Sequence, residues 1–445
     1  MPVQDHHAES NSTSRRSRRD FLKRSTAAAA IATVGTLAVE RSAHAAGDET
    51  LRVGLVGCGG RGSGAARDAL AADKNAKLVA LADAFPDRLE ASLKGVRAAV
   101  PGQVEVTPER CFVGLDACEK LLQCGVDVVL LCEPPGFRPR HLKAAIDAGK
   151  HVFCEKPVAV DGPGIRSVLA SSEAAAKKNL NLVSGLCWRY HTAVREAMQR
   201  VHDGAIGEIR AMQTVYNTGP LWVRQRDPKW SEMEYQVRDW YYFAWLSGDF
   251  NVEQHVHSLD KTAWAMHDEP PVRAWGLGGR QVRTEQPQYG HIYDHHAVVY
   301  EHANGVPVHS YCRQMANCFN GVFDKIIGTK GTAFIDSERC RIEGETKWRY
   351  EGPGCNMYRA EHEALFSAIR SGKTINNGVY MARSTMLGIL GRMVTYTGAA
   401  ITWEQAMNSQ EDLSPKGYTW DAAPPILPDD KGRYPVAVPG LTKFV

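Results

Sequence analysis

The stretch LRVGLVGCGGRGSGAARDALAA, Leu51 to Ala72, restricts the possible folds more than any other part of this chain. An apolar run, Leu51 to Val56, reads as a strand. Gly57, Gly59 and Gly62 follow in G-x-G-x-x-G order, and an alanine-rich, helix-forming run comes next. In such a turn one glycine makes the bend, one lets backbone amides approach a pyrophosphate, and one lets helix pack on strand, while the helix N-terminus faces the phosphate charge. Gly60 and Arg61 lie in the same turn and are expected at the same ligand. A second strand, KLVALAD, ends in Asp83, 21 residues past Gly62, where a carboxylate can accept hydrogen bonds from ribose hydroxyls. Asp83 favours NAD over NADP by repelling a 2′-phosphate. Arg61 and Arg88 soften that preference, so NADP stays open.

Further βα units follow: VDVVLLCEPP (Val126 to Pro135), a helix near His141 to Ala148, then HVFCEKPVAV (His151 to Val160). This alternation predicts an α/β Rossmann domain with a doubly wound parallel sheet. Ligands collect at the carboxyl ends of such strands. His141 is expected to line the nucleotide site. Glu155 and Lys156 fall at a strand end, where Lys156 can reach a substrate over the nicotinamide while Glu155 helps hold that lysine and the cofactor.

The beginning of the chain has a different character. SRRDFLKRS (Ser17 to Ser25) precedes an uncharged run, Ser25 to Val39, too short for a bilayer span, and AHA (Ala43 to Ala45) offers a cleavage site. Residues 1–45 therefore read as a twin-arginine export signal, which implies a periplasmic location, dealings with the twin-arginine export machinery, and no transmembrane anchor after cleavage. Removing them takes seven basic residues of 53 and four acidic residues of 50, leaving 46 of each. A neutral mature chain gives no electrostatic reason to expect nucleic acid as a partner. The eleven cysteines are an odd number, and several sit in apolar strand-like runs, so they read as buried side chains rather than a disulfide framework.

AGKHVFCEKPVA, downstream of the glycine turn, resembles the glucose-fructose oxidoreductase, inositol dehydrogenase and rhizopine-catabolism family (Gfo/Idh/MocA). The resemblance implies a Rossmann domain followed by an α+β domain on a large open, mostly antiparallel sheet, and a catalytic role for Lys156. It divides the chain into the signal (1–45), the nucleotide domain (46–186), the sheet domain (187–412) and a proline-rich tail (413–445). The family's second signature corresponds to SGDFNVEQHVHSLDKTAWAM, with Gly248, Glu253, His257 and Asp260. Glutamate stands at 253 where the family usually has aspartate, and histidine at 255 where glycine is common. Helical offsets of four and three would put Glu253, His257 and Asp260 on one face, so that the two acids orient and tune the imidazole.

Later segments fill in the second domain. GEIRAMQTVYN reads as its first strand, HAVVYEHANGVPVHSYC as a hairpin, and YRAEHEALFSAIRSG as a helix that packs last. The tail is expected to wrap the surface or touch a neighbouring subunit of a homo-oligomer. Between first strand and histidine helix, GPLWVRQRDPKWSEMEYQVRDWYYFAWLSG interleaves tryptophans with arginines and aspartates, which suits a sugar ring. Trp240, Tyr241 and His255, with Arg189 and Tyr190 of CWRYH, form the substrate set. His291, Asp294, His295 and His296 invite a metal, but adjacent strand histidines point to opposite faces, and no metal is expected.

The implied chemistry is hydride transfer between a ring hydroxyl of a sugar, polyol or glycoside and NAD. His257 accepts the proton, Lys156 stabilises the oxygen, and Glu253 with Asp260 fixes the imidazole. Outside the inner membrane no soluble NAD is available, so the nucleotide is expected to be loaded before export and tightly bound. Two alternatives stay open: a redox-neutral NAD-dependent glycoside hydrolase or lyase, and a non-catalytic nucleotide or glycan sensor.

Overall fold

The computed structural model describes residues 49–284, 287–336 and 339–445; the expected export signal lies outside them. Six parallel strands form the first sheet: β1 (Leu51–Val56), β2 (Ala76–Asp83), β3 (Cys111–Val113), β4 (Val128–Leu131), β5 (His151–Cys154) and β6 (Leu182–Ser184). Their order, β3-β2-β1-β4-β5-β6, reverses direction between β1 and β4 and opens a crevice there at the carboxyl ends. Helices cover both faces, which is why these strands are almost uninterrupted apolar runs: Val53, Leu55, Val128, Val129 and Phe153 are all fully buried.

The second sheet has nine strands: β7 (Ile209–Thr218), β8 (Arg273–Gly279), β9 (His295–Glu301), β10 (Pro307–Gln314), β11 (Gly321–Gly328), β12 (Gly331–Asp336), β13 (Arg341–Gly344), β14 (Trp348–Arg349) and β15 (Ile401–Thr402). They run in the order β14-β13-β12-β11-β7-β10-β9-β8-β15. β7 and β10 are parallel, and the sheet is otherwise antiparallel. Alternation sorts the faces. Val298, Tyr300, Val308, Ser310 and Cys312 are buried beneath helices, whereas Trp275, Leu277, Tyr311 and Ile327 remain exposed on the opposite face.

The C-terminal helices depart from expectation. Met357–Arg370, expected to pack last, joins the nucleotide half: Arg370 pairs with Asp73 at 2.8 Å and Glu361 with Arg61 at 3.1 Å. A 20-residue helix, Gly378–Thr397, buries almost its whole circumference between the halves, with Met381, Met386, Leu390 and Val394 inside. A helix apolar all round gives no one-sided periodicity, so sequence reading passed over it. The two sheets thus share helices across the expected boundary near residue 186.

Candidate functional site

The glycine turn is built by sterics. Gly57 has φ +87°, and a Cβ there would lie 2.4 Å from the Glu133 amide nitrogen; a Cβ on Gly62 would lie 1.8 Å from the Gly57 carbonyl oxygen. Gly59 and Gly60 face open space instead, room that a ligand can use. The helix Gly60–Ala72 starts there without a side-chain cap, leaving its first amides for an anion. A cleft of about 400 Å³ is lined by this turn together with Asp83, Phe85, Arg88 and His141. Asp83 accepts the Cys58 and Phe85 amides at 2.6 and 2.9 Å, and its burial raises its pKa. His141 Nδ1 lies 3.1 Å from Glu133 Oε1, while its buried Nε2 has no protein partner. Open space at two glycines, free helix amides and an orphaned imidazole nitrogen fit a dinucleotide.

Beside this cleft, at the end of β5, Lys156 Nζ donates to the Glu253 carbonyl at 2.6 Å and to Glu253 Oε1 at 3.1 Å. Glu155 does not hold the lysine ammonium as expected. Its carboxylate accepts the Lys156 backbone amide at 3.0 Å and the Arg61 guanidinium, which also reaches Glu361 at 3.1 Å. Arg61 thereby ties the glycine turn to the E-K-P segment. Glu361 is fully buried, with Oε2 unpartnered, and burial followed by the Glu155 charge pushes its pKa well up. The sequence reading missed Glu361, because within its helical pattern nothing sets it apart from Glu363.

The histidine segment corrects a second expectation. Glu253 ends one short helix, Phe250–Glu253, and His257 and Asp260 belong to another, Val256–Ala265, so the three do not share a helix face. At the break the His255 amide bonds back to the Phe250 carbonyl, five residues away. Contacts with β10 hold it: His255 Nε2 meets Ser310 Oγ at 2.7 Å, and Gln314 Nε2 donates to Gln254 Oε1 at 2.6 Å. These tertiary bonds outweigh helix continuity. Glu253 therefore meets Lys156, while Asp260 accepts Arg189 at 2.9 Å and Ser384 at 2.8 Å; neither acid bonds the imidazole. His257 Nδ1 is buried without a partner. Burial, then the charges of Lys156 and Lys261, hold the His257 pKa well below the usual range, so the ring is neutral near pH 7.

The expected substrate set is dispersed. Arg189 is spent on Asp260 and Asp268, and Tyr190 donates to Asn377 at 3.0 Å. His255 is buried in its bond to Ser310, and burial lowers its pKa to about 3. Tyr241 is buried, accepting from Gln314 at 2.8 Å. Trp240 lines the nucleotide cleft. Tyr216 on β7, which the sequence reading did not single out, lies edge-on to His255 at 6.1 Å and within reach of the Glu253 charge. His295 faces Asp294 at 2.8 Å and His296 faces Thr395 at 2.9 Å, away from each other.

Comparison with known proteins agrees with this layout. Residues 51–185 match a family model described as an oxidoreductase family with an NAD-binding Rossmann fold (GFO_IDH_MocA), and residues 194–334 match the GFO/IDH/MocA C-terminal domain. The inositol 2-dehydrogenase of Rhizobium meliloti is 28% identical over 222 residues, covering 50% of this chain and 56% of that protein. Inositol 2-dehydrogenase 3 of Saccharopolyspora erythraea is 27% identical over 286 residues, 64% of this chain and 72% of that one. The chain thus spans little more than half of the first relative. Among solved structures, a levoglucosan dehydrogenase in complex with NADH and levoglucosan superposes with TM-score 0.63 at 16% identity, over 80% of this chain and 99% of that one. The aldose-aldose oxidoreductase of Caulobacter crescentus gives 0.62 at 19%, over 80% and 100%.

Proposed function

The chain belongs to the Gfo/Idh/MocA family of oxidoreductases, and from that premise we propose that it moves a hydride between a carbinol carbon of a sugar or polyol and a retained NAD, with NADP as the alternative. The nicotinamide, when bound, supplies the hydride acceptor or donor. The observation that carries this reading is Lys156 Nζ on Glu253, its charge acting on the neutral His257 and its backbone tied to the glycine turn through Glu155 and Arg61. Lys156 stabilises the substrate oxygen as its charge changes, His257 takes the hydroxyl proton, and Glu253 positions the lysine. The relatives named for inositol, levoglucosan and aldose chemistry support a polyhydroxylated substrate.

Two further parts of the proposal concern setting. Residues 1–45 would direct the folded, nucleotide-loaded protein through the twin-arginine route to the periplasm. A second copy of the chain would cover the exposed apolar side chains Trp275, Leu277, Tyr311 and Ile327 on the open sheet face. The test is to denature the purified exported protein, identify the released nucleotide, and follow nicotinamide absorbance of the intact protein against a panel of sugars and polyols. Release of NAD or NADP together with an absorbance change for at least one polyol supports the reading. No nucleotide, no binding of added NAD and no response to any polyol would sink it.

A further inference from the structure

The aromatic loop and the C-terminal tail meet at the nucleotide cleft. From the second domain the loop contributes Trp222, Arg224, Arg238 and Trp240 as one wall of the cleft that the glycine turn and Asp83 also line. Arg238 lays its guanidinium 3.8 Å from the centre of the Phe85 ring, two residues past Asp83.

The tail spans both walls. The Leu413 amide is held by Asp161 of the nucleotide half at 2.9 Å. Tyr418 then packs against Phe137, with ring centres 5.8 Å apart, beneath Arg140, and Trp420 stacks on Phe85 at 5.3 Å and 26°. Phe85 and Phe137 both line the cleft. A few residues on, the tail crosses to the loop: Gln236 donates to the Ile426 carbonyl at 2.8 Å, Tyr434 bonds Glu232, and its ring stands edge-on to Phe243 at 4.9 Å. The far end is fastened as well, with the Val445 carbonyl accepting from Ser409 and Gln410. Residues 413–445 lie beyond both family matches.

We infer that this tail is a clasp that fastens the aromatic loop over the nucleotide, so that NAD(H) departs slowly and behaves as a resident group. The inference rests on the proposed nucleotide-dependent reading and adds what holds the cofactor in place. Separation of the loop wall from the Phe85 and Phe137 wall would widen the crevice for a departing dinucleotide. The tail is attached to both, so each opening must first break the Trp420 stack or the Tyr434 and Gln236 bonds.

The experiment loads the full-length mature protein with NADH, adds excess NAD, and follows loss of nicotinamide fluorescence. Trp420→Ala should raise the NADH dissociation rate about tenfold, the scale of one lost aromatic stack. Tyr434→Phe, which removes a single hydroxyl and keeps the test open should the first variant fold poorly, should raise it by a smaller factor. Dissociation rates equal to the parent's in both variants would overturn the clasp and leave the proposed activity standing. A folded parent that binds no NADH would overturn both.

Discussion

Two cation–carboxylate pairs join the ends of the first sheet to the Gly248–Ala265 segment, and they differ in what each cation has left to offer. Lys156 meets one acid, Glu253, in a partly open setting with the side chains 14% and 16% exposed. Arg189 meets two acids, Asp260 and Asp268, with Asp260 1% exposed and bonded also to Ser384. Its guanidinium stacks 4.0 Å from the Tyr380 ring centre. An ammonium with one of its three donors spare can turn to a substrate oxygen. A guanidinium with every edge engaged holds two segments together. The pairs look alike in sequence, and saturation separates them.

The largest effect should come from the open pair. Lys156→Ala should cost about 10³-fold in kcat, within the 10²–10⁴ range of a positioned proton-handling or charge-stabilising group, with nucleotide content unchanged. Steady-state rates with a responsive polyol, together with bound nucleotide per chain, decide this. A variant that kept parental turnover would remove Lys156 from the chemistry. The saturated pair should fail differently. Arg189→Met strands a buried carboxylate and should lower unfolding free energy by about 3–5 kcal/mol, read from denaturant titration, with little change in kcat per folded molecule. If Arg189→Met instead lost turnover at full stability, Arg189 would belong to the site and the contrast would collapse.

This contrast also marks where the sequence stopped being legible. The glycine turn could be read because sterics leave no other residue at Gly57 and Gly62, and that constraint is local. Asp83 and Lys156 could be placed because parallel strands end where ligands bind. The partners of Glu253 and Asp260 could not. Their assignment assumed one continuous helix, and bonds from His255 and Gln254 to β10, 55 and 60 residues away in sequence, broke it. The aromatic loop was read by composition as suiting a sugar ring, whereas its place in the lining of the glycine-turn cleft comes with long-range tail contacts that no local pattern encodes. Glu361 was hidden for the same reason, since its partner Arg61 lies 300 residues earlier.

A smaller effect tests whether Lys156 and His257 share one site. Because Lys156 is the foremost charge lowering the His257 pKa after burial, Lys156→Ala should move that pKa upward, while burial keeps it below the ordinary value. Selective histidine labelling and a nuclear magnetic resonance titration of both proteins would show it. An unmoved His257 would mean that the ammonium and the imidazole do not act on one substrate atom.

The last contrast concerns a third way of treating a buried charge, which is to give it up. Asp239, fully buried beside the cleft wall, accepts the Arg224 amide at 2.7 Å and leaves Oδ2 without a partner. Burial raises its pKa to about 8, against about 3.9 in an unfolded chain. Between those values the folded protein binds a proton that the unfolded chain has released, so this group's contribution to stability is complete below about pH 4, falls as pH rises, and is lost above about pH 8. Asp239→Asn is neutral throughout and should flatten that decline in melting temperature between about pH 4 and pH 8, measured in a pH series with the parent alongside. Parallel curves for the two proteins would show that Asp239 keeps its charge in the fold, and its anchoring of Arg224 would then resemble the saturated Arg189 pair more than an acid that has surrendered its charge.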